Sequence, residues 1–240
     1  RGLDICRQQP TLFLVNDLTG ATALCSYFLD ASARQGDNAR LLSKARFMFM
    51  ADCPQDFSSR VIVEMRGLSD SAGRSPFWDS LGQHFFRMDF ARADYLTGIG
   101  NKAFIAEMMP KFPLYACFLS DAAREAIGQV HPDSEAGRAV LEEEGMCYQG
   151  YIDIFDGGAT LEAQRSQVRA IRDSRNLLLS VGTPGDDAAT HLIYNRTRES
   201  CRMIAAPARI AAGTLVVSSA SAELLRLRAG TPVRAVALQG

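Results

Sequence analysis

The segment of residues 23–66 constrains the fold most strongly, because its pattern is that of a strand, a loop, a helix and a second strand. An apolar run at 23–29 is followed by a polar stretch that contains Gly36, and apolar side chains then recur at helical spacing over 38–51. The run R-V-I-V-E-M-R at 60–66 has the composition of a strand. This order predicts an α/β fold with the loop at the carboxyl edge of a strand, a common position for a ligand.

The loop itself, R-Q-G-D-N-A-R at 34–40, has the features of an anion site. The start of a helix offers unpaired N–H groups and the positive end of the helix dipole. Gly36 permits a close backbone approach, and Arg34 and Arg40 can add charge-assisted hydrogen bonds. The alternative is a plain connection, because polar loops that contain glycine often precede helices.

Several shorter runs predict strands. Turn residues separate the apolar runs at 11–15 and 23–29, which predicts a β-hairpin. Residues 108–118 are expected to be extended, and 151–155 form a strand that stops at D-G-G. These strands would flank the α/β segment on both sides in sequence.

Two more helices are predicted between these strands. Ser75 has the signature of an N-cap, with Pro76 at the first helical position. The helix at 135–144 is expected to end at Gly145. The residues that share one face of the helix after Ser75 are Phe77, Leu81, Phe85 and Met88.

The composition changes beyond residue 160. The charged stretch at 162–175 is compatible with a helix, and T-P-G-D-D-A-A at 183–189 indicates an exposed loop. Short β-like runs follow, for example at 214–218 and 232–238. The sequence therefore predicts a small β-rich C-terminal tail.

Charge and hydropathy exclude several classes of protein. Twenty-six basic and 27 acidic residues leave a formal charge of −1, which supplies no general attraction for nucleic acid or an anionic membrane. No apolar run approaches the roughly 20 residues that span a bilayer. No signal peptide is apparent, so the cytoplasm is the expected compartment.

The cysteines lack the spacing of a metal site. There is no C-x-x-C pair and no histidine at ligand spacing, so neither zinc nor a disulfide framework is expected. Most of them lie in apolar stretches and are predicted to be buried. The six are Cys6, Cys25, Cys53, Cys117, Cys147 and Cys201.

Seven blocks of unusual composition occur in one order along residues 10–165. They are N-D-L-T-G (16–20), L-C-S-Y-F-L-D (24–30), E-M-R-G-L-S-D (64–70), G-R-S-P-F-W-D-S-L-G-Q-H-F-F (73–86), G-N-K-A-F-I-A-E-M-M-P-K (100–111), I-G-Q-V-H-P (127–132) and G-Y-I-D-I-F-D-G-G (150–158). Together they resemble the arginine N-succinyltransferase family. The tail after residue 165 resembles it much less clearly.

This resemblance implies a GNAT-like acyl-CoA N-acyltransferase fold, α/β (α+β) in class, built from two GNAT-like units. It also implies an N-terminal segment before Arg1, so that the first unit is incomplete here. The division expected from it is a first unit at 1–95 with the coenzyme A loop, a second unit at 96–165, and a β-rich segment at 166–240.

The activity implied by the resemblance is transfer of succinyl from succinyl-CoA to the α-amine of L-arginine, or of ornithine, in arginine catabolism. Succinyl-CoA is then a co-substrate, and no metal or permanently bound cofactor is expected. Members act as homo-oligomers or with a homologous, non-identical subunit.

The resemblance assigns the loop at 34–40 to coenzyme A. GNAT enzymes carry R/Q-x-x-G-x-G/A at this position, and Arg34 and Ala39 match it. Asp37 stands where the first motif glycine would be, and its carboxylate could either repel pyrophosphate or cap the helix. Tyr27 matches the position that contacts succinyl-CoA. The predicted coenzyme A residues are Tyr27, Arg34, Gly36, Ala39 and Arg40.

His131 in I-G-Q-V-H-P matches the family's proton donor. An imidazole can give or take a proton near neutral pH, which suits the departure of a thiolate. The alternative is a solvated loop histidine before Pro132. His84 is expected to be a core histidine instead.

The substrates call for complementary charges. The guanidinium of arginine favours a carboxylate, and Glu64, Asp70, Glu107 and Asp153 lie in matched blocks. The succinyl carboxylate favours a cation, for which the candidates are Arg66, Arg74 and Lys102. The predicted substrate-binding set is Glu64, Arg66, Asp70 and Lys102.

Two other functions fit the same sequence. A non-catalytic partner subunit is one, since Asp37 departs from the coenzyme A motif. The other is an acyltransferase that uses a different acyl-CoA or a different amine.

Overall fold

The structure, a computed structural model, describes residues 8–99 and 103–239. The chain forms two compact units, each assembled from three segments. Unit 1 comprises the described parts of Arg1–Ala23, Ile62–Arg138 and Tyr148–Glu162, and unit 2 those of Leu24–Val61, Ala139–Cys147 and Ala163–Gly240. Each unit has a hydrophobic core of its own.

The fold mixes helices and strands throughout. The helices of the described residues are α1 (Asn38–Asp52), α2 (Gln83–Phe86), α3 (Phe90–Gly98), α4 (Ala103–Met108), α5 (Asp121–Ala126), α6 (Glu135–Glu143), α7 (Arg169–Arg172) and α8 (Ser219–Leu225). The strands are β1 (Thr11–Leu12), β2 (Thr22–Ala23), β3 (Arg60–Glu64), β4 (Leu114–Tyr115), β5 (Cys147–Ile152), β6 (Ala159–Gln164), β7 (Arg175–Val181), β8 (Thr190–Tyr194), β9 (Met203–Pro207), β10 (Arg209–Ala211), β11 (Thr214–Val217) and β12 (Pro232–Ala237). The predicted α/β class is thereby confirmed.

Unit 1 holds most of a four-stranded sheet with the order β2-β3-β6-β5. Its helical layer begins with a π-helical turn, Trp78–Gly82, that continues directly into α2. Ser75 caps this start as predicted, because its Oγ accepts the N–H of Trp78 at 3.3 Å. Trp78 is 1% exposed and stacks on Phe86 with ring centroids 5.2 Å apart. The predicted apolar face of this helix is confirmed by the burial of Phe77 and Leu81.

Unit 2 contains α1 and a six-stranded sheet with the order β10-β11-β7-β12-β8-β9. Among the described strands of this sheet, only β11 and β7 run parallel to each other. One apolar cluster of this sheet packs with α8 through Leu225, and another, which includes Leu192 and Tyr194, packs on Met48 of α1. The predicted helix at 38–51 and the β-rich C-terminal segment are thus confirmed.

Several local predictions are wrong. The predicted strand at 23–29 is limited to β2, Thr22–Ala23, and the one predicted at 151–155 is instead β5, Cys147–Ile152. The apolar run at 11–15 forms no hairpin with 23–29, because β1 pairs with β4 instead. Residues 162–175 contain the end of β6, a 3-10 turn at Arg165–Gln167, the short helix α7 and the start of β7, rather than one helix. Residues 108–118 are extended only at β4.

The prediction that most of the cysteines are buried is also wrong. Of the five described, only Cys53 is buried, and Cys25, Cys117, Cys147 and Cys201 are exposed. An apolar neighbourhood in sequence does not bury a residue when the segment lies on the surface. Among the described helices, none is both long and apolar enough to cross a bilayer.

Candidate functional site

The carboxyl end of β3 and the residues after it present two of the predicted substrate-binding side chains. Val63 and Met65 are buried, whereas Glu64 and Arg66 are exposed. Because side chains alternate along an extended strand, Glu64 and Arg66 lie on one face. The Arg66 guanidinium donates to Ser69 Oγ at 2.8 Å. A carboxylate and a guanidinium therefore stand side by side at this end of the strand.

His131 is attached to the same segment through its backbone. Its N–H donates to the carbonyl oxygen of Arg66 at 2.8 Å. The imidazole is 17% exposed, and its Nδ1 accepts the backbone N–H of Asp133 at 3.2 Å. A neutral imidazole whose Nδ1 accepts a hydrogen bond carries its proton on Nε2. His131 therefore presents an N–H donor at Nε2, and the structure brings it together with Arg66.

The loop between β5 and β6 contributes two carboxyl groups. Asp156 is buried and accepts the N–H of Gly67 at 2.6 Å with Oδ2 and that of Gly158 at 2.8 Å with Oδ1. Asp153 Oδ1 accepts the N–H of Phe155 at 2.7 Å. Burial raises the pKa of Asp153 to about 7, and the charges of Asp156 and Glu64 add to the increase. Backbone N–H groups therefore hold both carboxyl groups in place.

Asp70 makes hydrogen bonds and an ion pair within its own loop. It accepts the backbone N–H groups of Ala72 and Arg74, both at 2.9 Å, and pairs with the Arg74 guanidinium at 2.9 Å. The backbone N–H and guanidinium of Arg74 hold the pKa of Asp70 below its usual value. Asp70 and Arg74 thus neutralise each other, and a substrate would have to separate them.

The other candidates of unit 1 lie elsewhere. Lys102 lies outside the described residues. Glu107 is exposed near the end of α4. The expectation that His84 is a core residue is wrong, because its side chain is exposed on α2.

The predicted coenzyme A loop lies in unit 2, immediately before α1. Tyr27 Oη donates to the carbonyl oxygen of Ala39 at 2.9 Å, and the guanidinium carbon of Arg46 lies 5.0 Å from the centre of the Tyr27 ring. Burial raises the pKa of Tyr27. Arg34 Nε donates to the carbonyl oxygen of Leu29 at 3.0 Å. The loop therefore has a defined shape, and it brings the predicted residues Tyr27 and Ala39 into contact.

Asp37 occupies the N-cap position of α1 without capping it. Its carboxylate makes no hydrogen bond to the helix backbone, so the capping alternative is wrong. Instead Oδ1 lies 3.1 Å from Arg40 Nη1, and Oδ2 accepts from the amide of Gln239 at 3.2 Å. Arg40 also donates to Glu143 Oε2 at 2.6 Å. Two carboxylates therefore neutralise Arg40, one of the two guanidinium groups expected to contact pyrophosphate.

The sequence did not predict the buried ion-pair network of Lys44, Glu144 and Arg169 in unit 2. Lys44 Nζ lies 3.3 Å from Glu144 Oε1, and both side chains are at most 1% exposed. Arg169 Nη2 lies 3.2 Å from the same oxygen, and the N–H of Ala170 donates to Oε2 at 2.7 Å. Burial lowers the pKa of Lys44, and the charge of Glu144 opposes that change. The one signal in the sequence is that Lys44 interrupts the apolar face of α1.

A histidine with a free N–H donor beside a charged strand end, together with a mixed α/β fold, fits the class of acyl-transferring enzymes. Residues 1–170 match the model of the family described as arginine N-succinyltransferase beta subunit, and residues 175–237 match the model of its C-terminal domain. The chain belongs to the arginine N-succinyltransferase family. The match of 175–237 corrects the expectation that similarity weakens after residue 165.

Curated relatives and one solved structure agree with this assignment. Arginine N-succinyltransferase subunit beta of Pseudomonas aeruginosa is 62% identical over 236 residues, which cover 98% of this chain and 69% of the relative. Arginine N-succinyltransferase of Escherichia coli O139:H28 is 49% identical over 237 residues, with the same two coverages. The structure of arginine/ornithine succinyltransferase subunit AI from Pseudomonas aeruginosa superposes with a TM-score of 0.86 at 34% identity, covering 98% of this chain and 68% of that one.

Proposed function

We propose that this chain transfers a succinyl group from succinyl-CoA to the α-amine of L-arginine. The observation that carries the proposal is the 62% identity, over 98% of the chain, to a protein named arginine N-succinyltransferase subunit beta. The proposal includes a GNAT-like fold with two related units, the first at 1–95 and the second at 96–165. A β-rich segment follows at 166–240. The proposal also includes assembly with copies of the same chain or with a homologous subunit.

The reaction has three chemical requirements. The deprotonated α-amine, which titrates near 8, attacks the thioester carbonyl carbon and forms a C–N bond. The resulting oxyanion needs hydrogen-bond donors until it collapses and the C–S bond breaks. The amine nitrogen then loses a proton, and the departing thiolate takes one up.

His131 supplies the proton to the thiolate in this proposal. The imidazolium form is the acid, because loss of its Nε2 proton leaves a neutral ring. In support, the Asp133 carboxylate lies 3.5 Å from Nδ1 and can accept the N–H that this form carries there. The imidazole is partly buried, with 17% of its side chain exposed, so Nε2 can meet a substrate while the backbone stays fixed. An acid at this point stabilises the leaving group as the C–S bond lengthens.

Glu64 is the favoured partner for the guanidinium of arginine. It is exposed on the same face as Arg66, and its charge acts on Asp153. Asp70 stays in the proposed set, but it must first release Arg74. Arg66 and Lys102 are the proposed partners of the succinyl carboxylate, because a guanidinium or an ammonium can pair with it.

The loop before α1 holds coenzyme A in this proposal, through Tyr27, Arg34, Gly36, Ala39 and Arg40. Gly36 has a positive φ of 51°, which bends the backbone towards the helix start. Because Asp37 does not cap α1, the N–H groups of its first turn are not taken by that carboxylate. Backbone donors rather than Arg40 would then carry most of the pyrophosphate contact.

The experiment is a thiol-release assay with succinyl-CoA and a panel of amines, repeated with acetyl-CoA. Arginine with succinyl-CoA should give the highest turnover, with ornithine as the closest competitor. Equal or higher turnover with acetyl-CoA would overturn the succinyl assignment and favour another acyl-CoA.

A non-catalytic partner subunit is the second candidate function, since Arg40 is already neutralised by Asp37 and Glu143. The same assay separates the two functions. A chain that is inactive alone and does not bind coenzyme A, but raises the activity of a co-expressed homologue, would be such a partner.

A further inference from the structure

We propose that Asp156 is a positioning residue for His131 and acts through the peptide group that joins Arg66 to Gly67. The inference rests on the proposed function, in which His131 protonates the thiolate. It adds a residue that touches neither substrate, because Asp156 is buried beneath the segment that carries Arg66.

The contacts of one peptide group carry the inference. Its N–H belongs to Gly67 and donates to Asp156 Oδ2 at 2.6 Å. Its carbonyl oxygen belongs to Arg66 and accepts the N–H of His131 at 2.8 Å. Because a peptide group is planar, the two hydrogen bonds fix its orientation from opposite sides. The position of the His131 backbone is therefore coupled to the Asp156 carboxylate through one rigid group.

Asp156 is itself held firmly. Its second oxygen accepts the N–H of Gly158 at 2.8 Å, and the residue is 8% exposed. Hydrogen bonds to an ionised carboxylate are shorter and stronger than those between neutral groups. In a chain of hydrogen bonds each bond also polarises the next, so the negative charge strengthens the bond from His131 to Arg66.

The backbone around this carboxylate leaves no room for adjustment. A Cβ atom at Gly67 would lie 2.6 Å from Asp156 Oδ1, and one at Gly158 would lie 2.3 Å from the carbonyl oxygen of Met65. Glycine is therefore required at both positions for the strand and the D-G-G turn to approach each other. This close approach fixes the carboxylate under the Arg66–Gly67 peptide group.

The direction of the His131 ring depends on that backbone position. The ring is held at Nδ1 by the N–H of Asp133, two residues further along the same turn. A displaced His131 backbone moves this turn and changes where Nε2–H points. A misplacement of about 1 Å can lower a rate by about 100-fold. Asp156 should thus affect the chemical step rather than substrate binding.

The experiment is a double-mutant cycle with His131→Ala and Asp156→Asn, measured as kcat with arginine and succinyl-CoA. We expect Asp156→Asn to lower kcat by about 10- to 100-fold, with each KM changed by less than about threefold. The double mutant should be no slower than His131→Ala alone, within about threefold, because both changes remove the same aligned donor. Multiplied losses in the double mutant would overturn the inference and leave the proposed function intact.

Asp121→Asn is the matched control, because it makes the same change at an exposed aspartate of unit 1. Asp121 lies at the start of α5, is 86% exposed and pairs with the Arg124 guanidinium. Its kcat should stay within about threefold of the wild type. An equal loss of kcat in Asp121→Asn and Asp156→Asn would overturn the inference, because the effect would then not be specific to the carboxylate under the Arg66–Gly67 peptide group.

Two further outcomes are informative. If His131→Ala keeps the full kcat, the proposed acid role fails and the inference fails with it. If Asp156→Asn does not fold, Asp156→Glu keeps the charge while moving the carboxylate. That variant should bind coenzyme A normally, lower kcat and show the same absence of additivity with His131→Ala. Wild-type kcat in Asp156→Glu would overturn the inference.

Discussion

Arg40 and Glu143 are 103 positions apart in the sequence, and Arg40 Nη2 lies 2.6 Å from Glu143 Oε2. The same guanidinium contacts Asp37, so the basic residue at the start of α1 faces two carboxylates. The charge balance of the proposed coenzyme A loop is therefore set by Glu143, outside the loop, as well as by Asp37 within it.

Removing the charge of Asp37 should tighten coenzyme A binding. Asp37→Asn removes a negative charge near the proposed pyrophosphate site and loosens the hold on Arg40. The side chain is 40% exposed, so solvent screens the effect. We expect Kd to fall by about three- to tenfold, which corresponds to ~1 kcal/mol. Calorimetric titration with coenzyme A measures the change.

Asp37→Gly serves as the companion variant. Since Asp37 makes no capping hydrogen bond, Asp37→Gly and Asp37→Asn should melt within a few degrees of each other. Weaker coenzyme A binding in both variants would contradict the electrostatic account, because Asp37 would then be needed to orient Arg40.

His131→Ala should lower kcat by about 100-fold while substrate binding changes little. The physical reason is the loss of the imidazolium acid, whose Nδ1 lies 3.5 Å from the Asp133 carboxylate. Steady-state kinetics from pH 6 to 9 provide the measurement. His84→Ala is the control, because His84 is exposed on α2 and its loss should alter neither kcat nor the melting temperature. An unchanged kcat in His131→Ala at every pH would leave His131 with a structural role only.

Asp153 should make stability depend on pH. Its pKa is raised from 3.8 to about 7 in the folded chain, so the native state binds more protons than the unfolded state between these values. Stability from this group is therefore fully present below about pH 4 and is lost as pH rises through about 7. Asp153→Asn should melt higher than the wild type at pH 8 and show a flatter dependence between pH 5 and 8.

The control for this titration is Asp186→Asn, in the exposed loop between β7 and β8, which should keep the wild-type pH dependence. Melting curves at four pH values compare the three proteins. A parallel pH dependence of wild type and Asp153→Asn would show that another group is responsible.

Glu143 and Glu144 are neighbours in sequence with different energetic roles. Glu144→Ala leaves Lys44 buried without its carboxylate, and such a loss costs about 3–5 kcal/mol. Glu143→Ala breaks a pair whose carboxylate is 48% exposed, and such surface pairs are worth about 1 kcal/mol or less. Urea unfolding of the two variants measures both costs. Equal losses of unfolding free energy would contradict the burial argument.

Local patterns in the sequence were sufficient for the elements whose contacts are also local. The apolar spacing predicted α1, and Gly145, with a φ of 93°, ends the helix before it as expected. The partner of β1 could not be predicted in this way, since Thr11 pairs with Tyr115. A strand of two residues has too short a sequence pattern for a pairing partner so distant in the chain to be predicted from it.

In the candidate site, too, some residues could be predicted from the sequence, whereas their contacts with loops or distant residues could not. Sequence similarity selected His131 and Arg66, and the structure places them in contact through their backbones. The occupation of Asp70 by Arg74 depends on loop geometry, which composition does not specify. The buried pair of Lys44 and Glu144 joins residues a hundred positions apart, and single-residue preferences favour the surface for both.

Trp78 is the only tryptophan of the chain, and it lies in unit 1, stacked on Phe86 and close to Phe155. Its intrinsic fluorescence will therefore report on unit 1 alone, with the blue-shifted emission of a buried indole until that unit opens. Circular dichroism, by contrast, sums over the strands of both units. Coincident transitions by the two signals would show one cooperative unfolding step, whereas separated transitions would show that the two cores melt independently.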